Sequence, residues 1–476
     1  MASKALPRAT PESVGISSTD IIRFIDEAKK AELGIHSLMV ARRGSVVTEA
    51  WWPPYQPNDI HLLYSLSKSF MSSAIGFAVQ EGRLSVQDTV VSFFGDKLPS
   101  NPSANLLAMT IQDLLTMSCG HDKDEISDMY MREDGDWVRG FLAREVPHIP
   151  GTHFLYNSSA SFVLSAILQR VTGSTTIDYL RPRLLDPLGI ENATWESNPE
   201  GINMGGWGMS ITTDAILRFG QFYLQKGMWE GKQILSESWI EEATRFHVSN
   251  ENNEQIDWKQ GYGYQFWRSR HNAYRGDGAF GQFCVVLPEQ DMVVAITSGV
   301  SGMQAVLNLV WDHLVGPISE TPLAANPDSL KELQSTISQL ELMGPKGALT
   351  SPIVSSIHAK TFVRSEKGDG LQSCVLSFGD DSGTLTLEDF EGEYRIEFGI
   401  GKWVSGITDF QLPNRRIGAR AAWLDDDLLE IKVVHLESPT TTNIQCKFDG
   451  DAINLTTGLQ FIFGPSEGPS FNGKLS

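Results

Sequence analysis

The sequence has few cysteines and no long apolar run, and both absences narrow the class of protein. Its four cysteines lie far apart along 476 residues and form no CxxC or Cys/His cluster. This argues against a disulfide scaffold and favours reduced thiols. No stretch reaches 18 apolar residues, and the first residues lack the apolar core of a signal peptide. The sequence therefore predicts a soluble, cytoplasmic protein.

Basic residues are also scarce: 38 Lys and Arg stand against 58 Asp and Glu, a net charge of −20. Such a field repels phosphate backbones and anionic lipid, so we expect neither nucleic acid nor a membrane as partner. The ten histidines show no ligand spacing such as H-x-x-x-H, and we predict no metal and no cofactor. With 41% hydrophobic and 20% charged residues, the composition is globular, and the length suggests two or three domains. The sequence leaves the oligomeric state open.

Helical and strand patterns alternate up to about residue 320. Strand patterns at 36–52 and 282–297 enclose helical patterns, which predicts an α/β or α+β domain over residues 1–320. Residues 321–352 carry several prolines and one helical stretch, and we interpret them as a linker. From 353 to 476 there are short β-like runs separated by turn residues, which predicts an all-β domain, an antiparallel sheet or small barrel.

The residues best suited to chemistry are Ser65 and Lys68, at the start of a helix predicted to run to about Gln80. Positions i and i+3 share a helix face, so the hydroxyl and the amine can meet. A serine is a weak nucleophile until an adjacent base takes its proton. A lysine is such a base only when it is neutral, and burial or the positive end of a helix lowers its pKa in that direction. About one S-x-x-K is expected by chance at this length, so the context decides.

Five segments resemble, in order, the motifs of the serine β-lactamase and penicillin-binding-protein family. They are the Ser65 helix with its sequel GRLSVQD (82–88), MTIQDLLTMSCGHD (109–122), PGTHFLYNSSASFVLSAILQRVTG (150–173), DPLGIENATW (186–195) followed by GGWGMSITTDAILRFGQFYLQKG (205–227), and YRGDGAFGQ (274–282). Each motif is weak alone, but together their order and spacing carry the resemblance over roughly residues 10–315. The resemblance implies a β-lactamase/DD-peptidase-like domain, with an antiparallel sheet flanked by helices and a helical subdomain.

The resemblance also implies roles for single residues. Tyr156 takes the place of the second-motif tyrosine, which in class C-like members moves protons between nucleophile, lysine and leaving group and needs a lowered phenol pKa. The peptide N–H groups of Ser65 and Ala279 would form the oxyanion hole. Ser158 stands where the family has asparagine, and it can still donate a hydrogen bond to substrate with less reach. Trp207, flanked by glycines, is a candidate pocket wall, with core packing as the alternative.

The third motif departs from the family pattern. Gly276-Asp277-Gly278 lies over the usual Lys-Thr-Gly, so the cation that helps to hold a substrate carboxylate is missing and Asp277 stands at the substrate. Arg275 either substitutes for that cation or is a solvated surface charge, since a strand neighbour points to the opposite face. Gly278 suits a close approach of backbone to ligand. No class A-type deacylating glutamate is recognisable, which argues against an antibiotic-destroying β-lactamase.

The resemblance implies a serine hydrolase that cleaves an ester or amide bond of a small molecule or short peptide through an acyl-enzyme on Ser65. The subgroup it resembles contains carboxylesterases, 6-aminohexanoate-oligomer hydrolases and D-aminopeptidases. The C-terminal strands resemble the lipocalin-like barrel of some relatives, where it lies near the cleft mouth and limits substrate size. Two alternatives stay open: an acyltransferase or peptide cyclase with an amine or alcohol acceptor, and a non-catalytic binding protein. Intact Ser65, Lys68 and Tyr156 argue against a pure binder.

Overall fold

The computed structural model describes residues 5–124, 126–365, 368, 370–412 and 415–476. Its α-helices are α1 (Ser18–Lys30), α2 (Ser67–Gln80), α3 (Ala104–Ala108), α4 (Ile111–Leu115), α5 (Ile126–Tyr130), α6 (Trp137–Leu142), α7 (Ser158–Thr172), α8 (Thr176–Leu180), α9 (Asp186–Leu188), α10 (Thr213–Leu224), α11 (Glu237–Thr244), α12 (Met303–Leu309), α13 (Pro327–Ser338) and α14 (Val354–Ile357). Within the described ranges, no helix has the length and apolarity needed to cross a bilayer.

The strands of the first 320 residues are β1 (Gly34–Arg42), β2 (Ser45–Trp51), β3 (His61–Leu62), β4 (Thr194–Trp195), β5 (Met209–Ile211), β6 (Met228–Trp229), β7 (Lys232–Gln233), β8 (Trp267–Arg268), β9 (Tyr274–Gly278), β10 (Gln282–Leu287) and β11 (Met292–Gly299). Later strands are β12 (Thr361–Arg364), β13 (Ser373–Phe378), β14 (Ser382–Glu388), β15 (Glu393–Ile400), β16 (Val404–Thr408), β17 (Arg415–Asp425), β18 (Leu428–His435), β19 (Thr441–Asp449), β20 (Ala452–Gln460) and β21 (Glu467–Leu475).

The first sheet joins the two ends of the N-terminal region. Its order is β2-β1-β11-β10-β9-β8 and every pairing is antiparallel, with Leu38 of β1 opposite Ile296 of β11. One face packs on a core that includes Phe70 of α2 and Phe219 of α10, and the other packs on a core that includes Phe24 of α1. Because both faces are covered, β10 and β11 are buried throughout and apolar in sequence. The predicted sheet flanked by helices is confirmed, and α3 to α8 form the helical part.

The C-terminal strands form a closed antiparallel barrel. Their order is β15-β14-β13-β12-β21-β20-β19-β18-β17-β16, and β15 also pairs in parallel with β17, which closes a ring of nine strands in the described residues. The strands alternate buried and exposed residues, as β19 does. Large rings fill the interior, among them Phe362, Phe398 and Trp423. The predicted barrel is therefore confirmed, and its core is packed with side chains.

The barrel is fixed against the first region at the loop that leads to Ser65. The N–H of Leu62 donates to the carbonyl of Glu437 over 2.8 Å, and Arg416 pairs with Asp59 over 2.8 Å. Leu333 of α13 and Val434 of β18 share a core with the first sheet. The segment 321–352 is thus packed along the seam, and the barrel contacts the chain at Leu62, three residues before Ser65.

Candidate active site

Ser65 lies in a single 3₁₀ turn, Tyr64–Leu66, directly before α2. The predicted helix therefore begins two residues later than expected, because Tyr64 has a positive φ of 46° and the Ser67 hydroxyl donates to the Tyr64 carbonyl over 2.6 Å. Ser65 and Lys68 still face each other despite the later start of the helix. The Nζ of Lys68 lies 3.1 Å from the Oγ of Ser65.

Lys68 is 1% exposed, and none of its hydrogen-bond partners in the described part of the chain is a carboxylate. Its ammonium donates to the hydroxyl of Ser158 over 3.1 Å and to the carbonyl of Gly206 over 2.7 Å. Burial lowers the pKa of Lys68 to about 7, although the charges of Asp124 and Asp277 act in the opposite direction. A substantial fraction of Lys68 is therefore neutral at pH 7 and able to take a proton from Ser65.

Tyr156 completes the cluster, but its protonation differs from expectation. Its ring stacks on Trp267 at 5.2 Å and lies 4.8 Å from the Lys68 Nζ, and the Ser65 side chain lies near enough to its phenol to act on the phenol pKa. Burial, with a further contribution from the Asp277 charge, raises the pKa of Tyr156 well above its usual range. The expected lowering of the phenol pKa is wrong, because apolar surroundings and a nearby carboxylate both oppose a phenolate. Tyr156 is thus suited to donate a proton, while Lys68 is suited to accept one.

The end of β9 approaches the nucleophile turn through a glycine. A Cβ on Gly278 would collide with the carbonyl oxygen of Leu63 and lie 3.1 Å from the peptide nitrogen of Ser65. Only a residue without a side chain permits this contact. The next peptide N–H is that of Ala279, so the two donors of the predicted oxyanion hole belong to neighbouring segments. Their joint role remains a prediction.

Arg275 and Asp277 share one face of β9, as positions i and i+2 do. The Nε of Arg275 lies 2.9 Å from a carboxylate oxygen of Asp277, and both side chains are buried. The guanidinium also lies 4.4 Å from the Trp258 ring and donates to the carbonyl of Asp257 over 2.7 Å. Both interpretations of Arg275 are therefore corrected: it is neither solvated nor available to a substrate carboxylate, because Asp277 and the aromatic rings enclose it.

The Asp277→Ala variant is expected to lose about 3–5 kcal/mol of folding free energy, because it leaves the Arg275 guanidinium buried without its counter-ion. Urea denaturation of the wild type and of the variants Asp277→Ala, Arg275→Met and the double variant tests this. The double variant should be less destabilised than the sum of the single variants. Additive losses, or an Asp277→Ala variant as stable as the wild type, would show that the ion pair contributes nothing.

For three groups of the site, no pattern in the sequence predicts a role beside Ser65. Asp124 accepts a hydrogen bond from the N–H of Ser158 over 2.8 Å, where a carboxylate suits the first turn of α7. Trp267 supports Tyr156, and the Gly206 carbonyl holds Lys68. All three come from loops or a short strand, and only the fold brings them to Ser65.

Ser158 lies beside Lys68, and Trp207 follows Gly206, whose carbonyl accepts a hydrogen bond from Lys68. Ser158 contacts the amine directly, as given above. Trp207 is half-buried, follows Gly206, and has its ring 6.0 Å from that of Tyr130, which is 49% exposed. The ring therefore combines core packing with an accessible edge, and its contact with substrate remains a prediction.

One group of side chains in the described part of the chain could hold a metal ion: Asp122, His148 and His153, whose ligand atoms lie within 4.8 Å of one another. The His148 Nε2 is 2.6 Å from an Asp122 oxygen, so these two satisfy each other by a hydrogen bond. Within the residues that the structure describes, no hydrogen bond joins any of these three side chains to Ser65, Lys68 or Tyr156. The predicted absence of a metal stays a prediction.

Comparison with known proteins places this site in a family. The family model described as Beta-lactamase matches residues 23–308, more than half of the chain. The 6-aminohexanoate-dimer hydrolase of Paenarthrobacter ureafaciens is 24% identical over 288 residues, which cover 56% of this chain and 73% of that protein.

Solved structures extend the likeness in fold. The octameric penicillin-binding protein homologue from Pyrococcus abyssi has a TM-score of 0.51 at 16% identity and covers 96% of this chain and 99% of its own, so the likeness includes the barrel. EstCE1, a hydrolase with promiscuous acyltransferase activity, has a TM-score of 0.54 at 17% identity and covers 64% of this chain and 99% of its own.

The fold and the family match define a serine hydrolase, which confirms the predicted class of enzyme. The chain belongs to the beta-lactamase family.

Proposed function

We propose that the protein cleaves an ester or amide bond of a small molecule or short peptide through an acyl-enzyme on Ser65. The observation that carries this proposal is the contact of 3.1 Å between the Ser65 Oγ and a buried Lys68 amine whose pKa is about 7. A serine hydroxyl beside a partly neutral amine is an activated nucleophile. The similarity to the 6-aminohexanoate-dimer hydrolase supports chemistry of this kind.

In acylation, the Ser65 Oγ attacks the carbonyl carbon while its proton passes to the neutral Nζ of Lys68. The carbonyl oxygen becomes an oxyanion, which the N–H groups of Ser65 and Ala279 would stabilise. As the bond to the leaving group breaks, the phenol of Tyr156 gives the leaving group its proton and takes one from Lys68. The raised pKa of Tyr156 suits this step, because the phenol holds its proton until the leaving group demands it.

Deacylation reverses these proton transfers. Water attacks the acyl carbon and gives a proton to the neutral Lys68 amine. The tetrahedral adduct then releases the acid as the Ser65 Oγ takes that proton back. Lys68 and Tyr156 both end in the protonation state in which they began, so the cycle is complete without a further base.

Because Arg275 is enclosed, no cation of the third motif is available to a substrate carboxylate. We therefore predict that the enzyme disfavours substrates that carry a carboxylate at this position. A Cβ on Gly276 would collide with Leu66, so the position of the missing family lysine is also filled. We expect kcat/KM for benzylpenicillin to be lower than for a small neutral p-nitrophenyl ester by at least about 100-fold, since an unpaired carboxylate is rejected by a site without a partner. Comparable values for the two substrates would show that another cation takes the place of that lysine.

Product analysis separates hydrolysis from acyl transfer. A p-nitrophenyl ester and the matching p-nitroanilide are each incubated with the enzyme, with and without a primary amine acceptor. Free acid as the main product supports the proposed hydrolase. Turnover of the anilide would show that the enzyme cleaves amides as well as esters. An amide product that outruns the acid would favour the transferase, the activity named for EstCE1. Release of p-nitrophenol no faster than with Ser65→Ala would favour a binding protein.

A further inference from the structure

Four aromatic rings meet where the barrel touches the nucleophile turn. Tyr64 and Phe280 come from the first region, and their ring centroids are 5.4 Å apart. Phe461 and Phe463 come from the loop between β20 and β21, which we call the β20–β21 loop (461–466). Phe463 lies 5.6 Å from Tyr64 and 5.3 Å from Phe280, and Phe461 lies 5.9 Å from Phe280.

Three of these four residues have a backbone that side chains rarely adopt. The φ angles of Tyr64, Phe280 and Phe461 are 46°, 64° and 56°. Bulky residues in this region persist only when surrounding contacts hold them there. The ring cluster supplies such contacts, so the conformation of each segment depends on the others.

Tyr64 and Phe280 are adjacent in sequence to Ser65 and Ala279, whose N–H groups are the predicted oxyanion-hole donors. The conformation of Tyr64 sets the orientation of the peptide that carries the Ser65 N–H. Phe280 follows Ala279, and its carbonyl is fixed by the N–H of Val300 at 3.1 Å. Oxyanion stabilisation requires donors placed within a few tenths of an ångström of the developing charge.

Contacts within the barrel and with the first sheet hold Phe461 in place. Thr440, in the turn between β18 and β19, lies beside the hydroxyl of Tyr64, and its own hydroxyl donates to the carbonyl of Phe461 over 3.4 Å. Gly299 leaves room for the Phe461 ring, since a Cβ there would lie 3.1 Å from it. The ring cluster therefore connects the first region with the barrel, and hydrogen bonds hold Phe280 in the first region and Phe461 in the barrel.

We propose that the β20–β21 loop positions the oxyanion hole: Phe461 and Phe463 hold Tyr64 and Phe280, and thereby orient the N–H groups of Ser65 and Ala279. The inference rests on the proposed function, since it assigns the barrel a part in the same acyl transfer. Phe461 and Phe463 are positioning residues, because they act on the donors through neighbouring residues.

The test compares the variants Phe461→Ala, Phe463→Ala and the double variant with Phe390→Ala as a matched control. Phe463 and Phe390 are 71% and 75% exposed barrel phenylalanines, but Phe390 lies in the turn between β14 and β15. p-Nitrophenyl acetate is the substrate, because its acetyl group is too small to need an apolar subsite. Methylboronic acid is the inhibitor, because its tetrahedral adduct with serine places an oxygen in the oxyanion hole.

The double variant is expected to lose roughly 10- to 100-fold in kcat and in boronate affinity, in parallel, with KM and melting temperature nearly unchanged. Phe463→Tyr, which keeps the ring, should leave kcat and boronate affinity at the wild-type level, and Phe390→Ala should do the same. A raised KM with unchanged kcat would overturn the inference and make the rings a substrate subsite. Unchanged kcat and boronate affinity would overturn it as well. A wild type that boronate does not inhibit would instead contradict the proposed function itself.

Discussion

The Ser65→Ala variant is expected to lose roughly 10⁴-fold or more of kcat for a p-nitrophenyl ester, because it lacks the hydroxyl that forms the acyl-enzyme. The residual rate should be that of binding and oxyanion stabilisation alone. Its melting temperature should remain close to that of the wild type, since Ser65 lies in a turn held by the backbone and by Ser67. Steady-state kinetics and thermal unfolding of the same preparations measure both effects.

Ser72→Ala is the matched control for this experiment. Ser72 lies on α2, the helix that follows the Ser65 turn, and is fully buried. Removing its hydroxyl should leave kcat within a few-fold of the wild type. If Ser65→Ala retains most of the activity while Ser72→Ala behaves as predicted, the nucleophile has been assigned to the wrong residue.

Replacement of Lys68 by methionine is expected to lower kcat by roughly 10⁴-fold, because Ser65 then loses the base that takes its proton. In the wild type, burial holds the pKa of Lys68 at about 7, and only the neutral amine accepts a proton. kcat/KM should therefore rise with pH up to about 7 and level off above it. Below pH 7 it should fall close to 10-fold per pH unit, as the neutral fraction does. A pH–rate profile from pH 5 to 9 measures this dependence.

Two variants separate the role of Lys68 as a base from its packing. Lys68→Arg keeps a positive charge but stays protonated at any accessible pH, so it should be nearly as inactive as Lys68→Met. Lys432→Met removes another lysine whose pKa burial lowers, at the barrel seam, and should preserve activity. A pH profile without an inflection near 7, or an active Lys68→Arg, would show that Lys68 is not the base.

Local patterns in the sequence predict the first region well. The two strand patterns within 36–52, the apolar pair at 282–297 and the helix after Ser65 each have a local signal, so their existence follows from short-range rules. The barrel is harder to predict: no β-like run in the sequence indicates β12, β16, β17 or β21, and β21 contains a proline and two glycines. Such strands form because neighbouring strands offer hydrogen bonds, and that information is not local.

In the candidate site, too, some contacts follow from the local sequence and others depend on the fold. Ser65 and Lys68 are one helical turn apart, so their contact follows from the sequence. The pairing of Arg275 with Asp277 does not, because a face shared along β9 becomes a buried ion pair only when Trp258 and Trp267 close over it. The protonation of Tyr156 is hidden for the same reason: the raised pKa comes from burial and from Asp277, neither of which is near it in sequence.

The central claim is that Ser65 forms a covalent acyl-enzyme, and the mass of the intact protein tests it most directly. Wild type and Ser65→Ala are each treated with a fluorophosphonate and, separately, with a p-nitrophenyl ester quenched in acid during the first turnovers. The account predicts one adduct per wild-type chain, mapped by peptide analysis to Ser65, and none on the variant. A wild type that takes no adduct from either reagent, or a Ser65→Ala variant that is labelled equally, would contradict it.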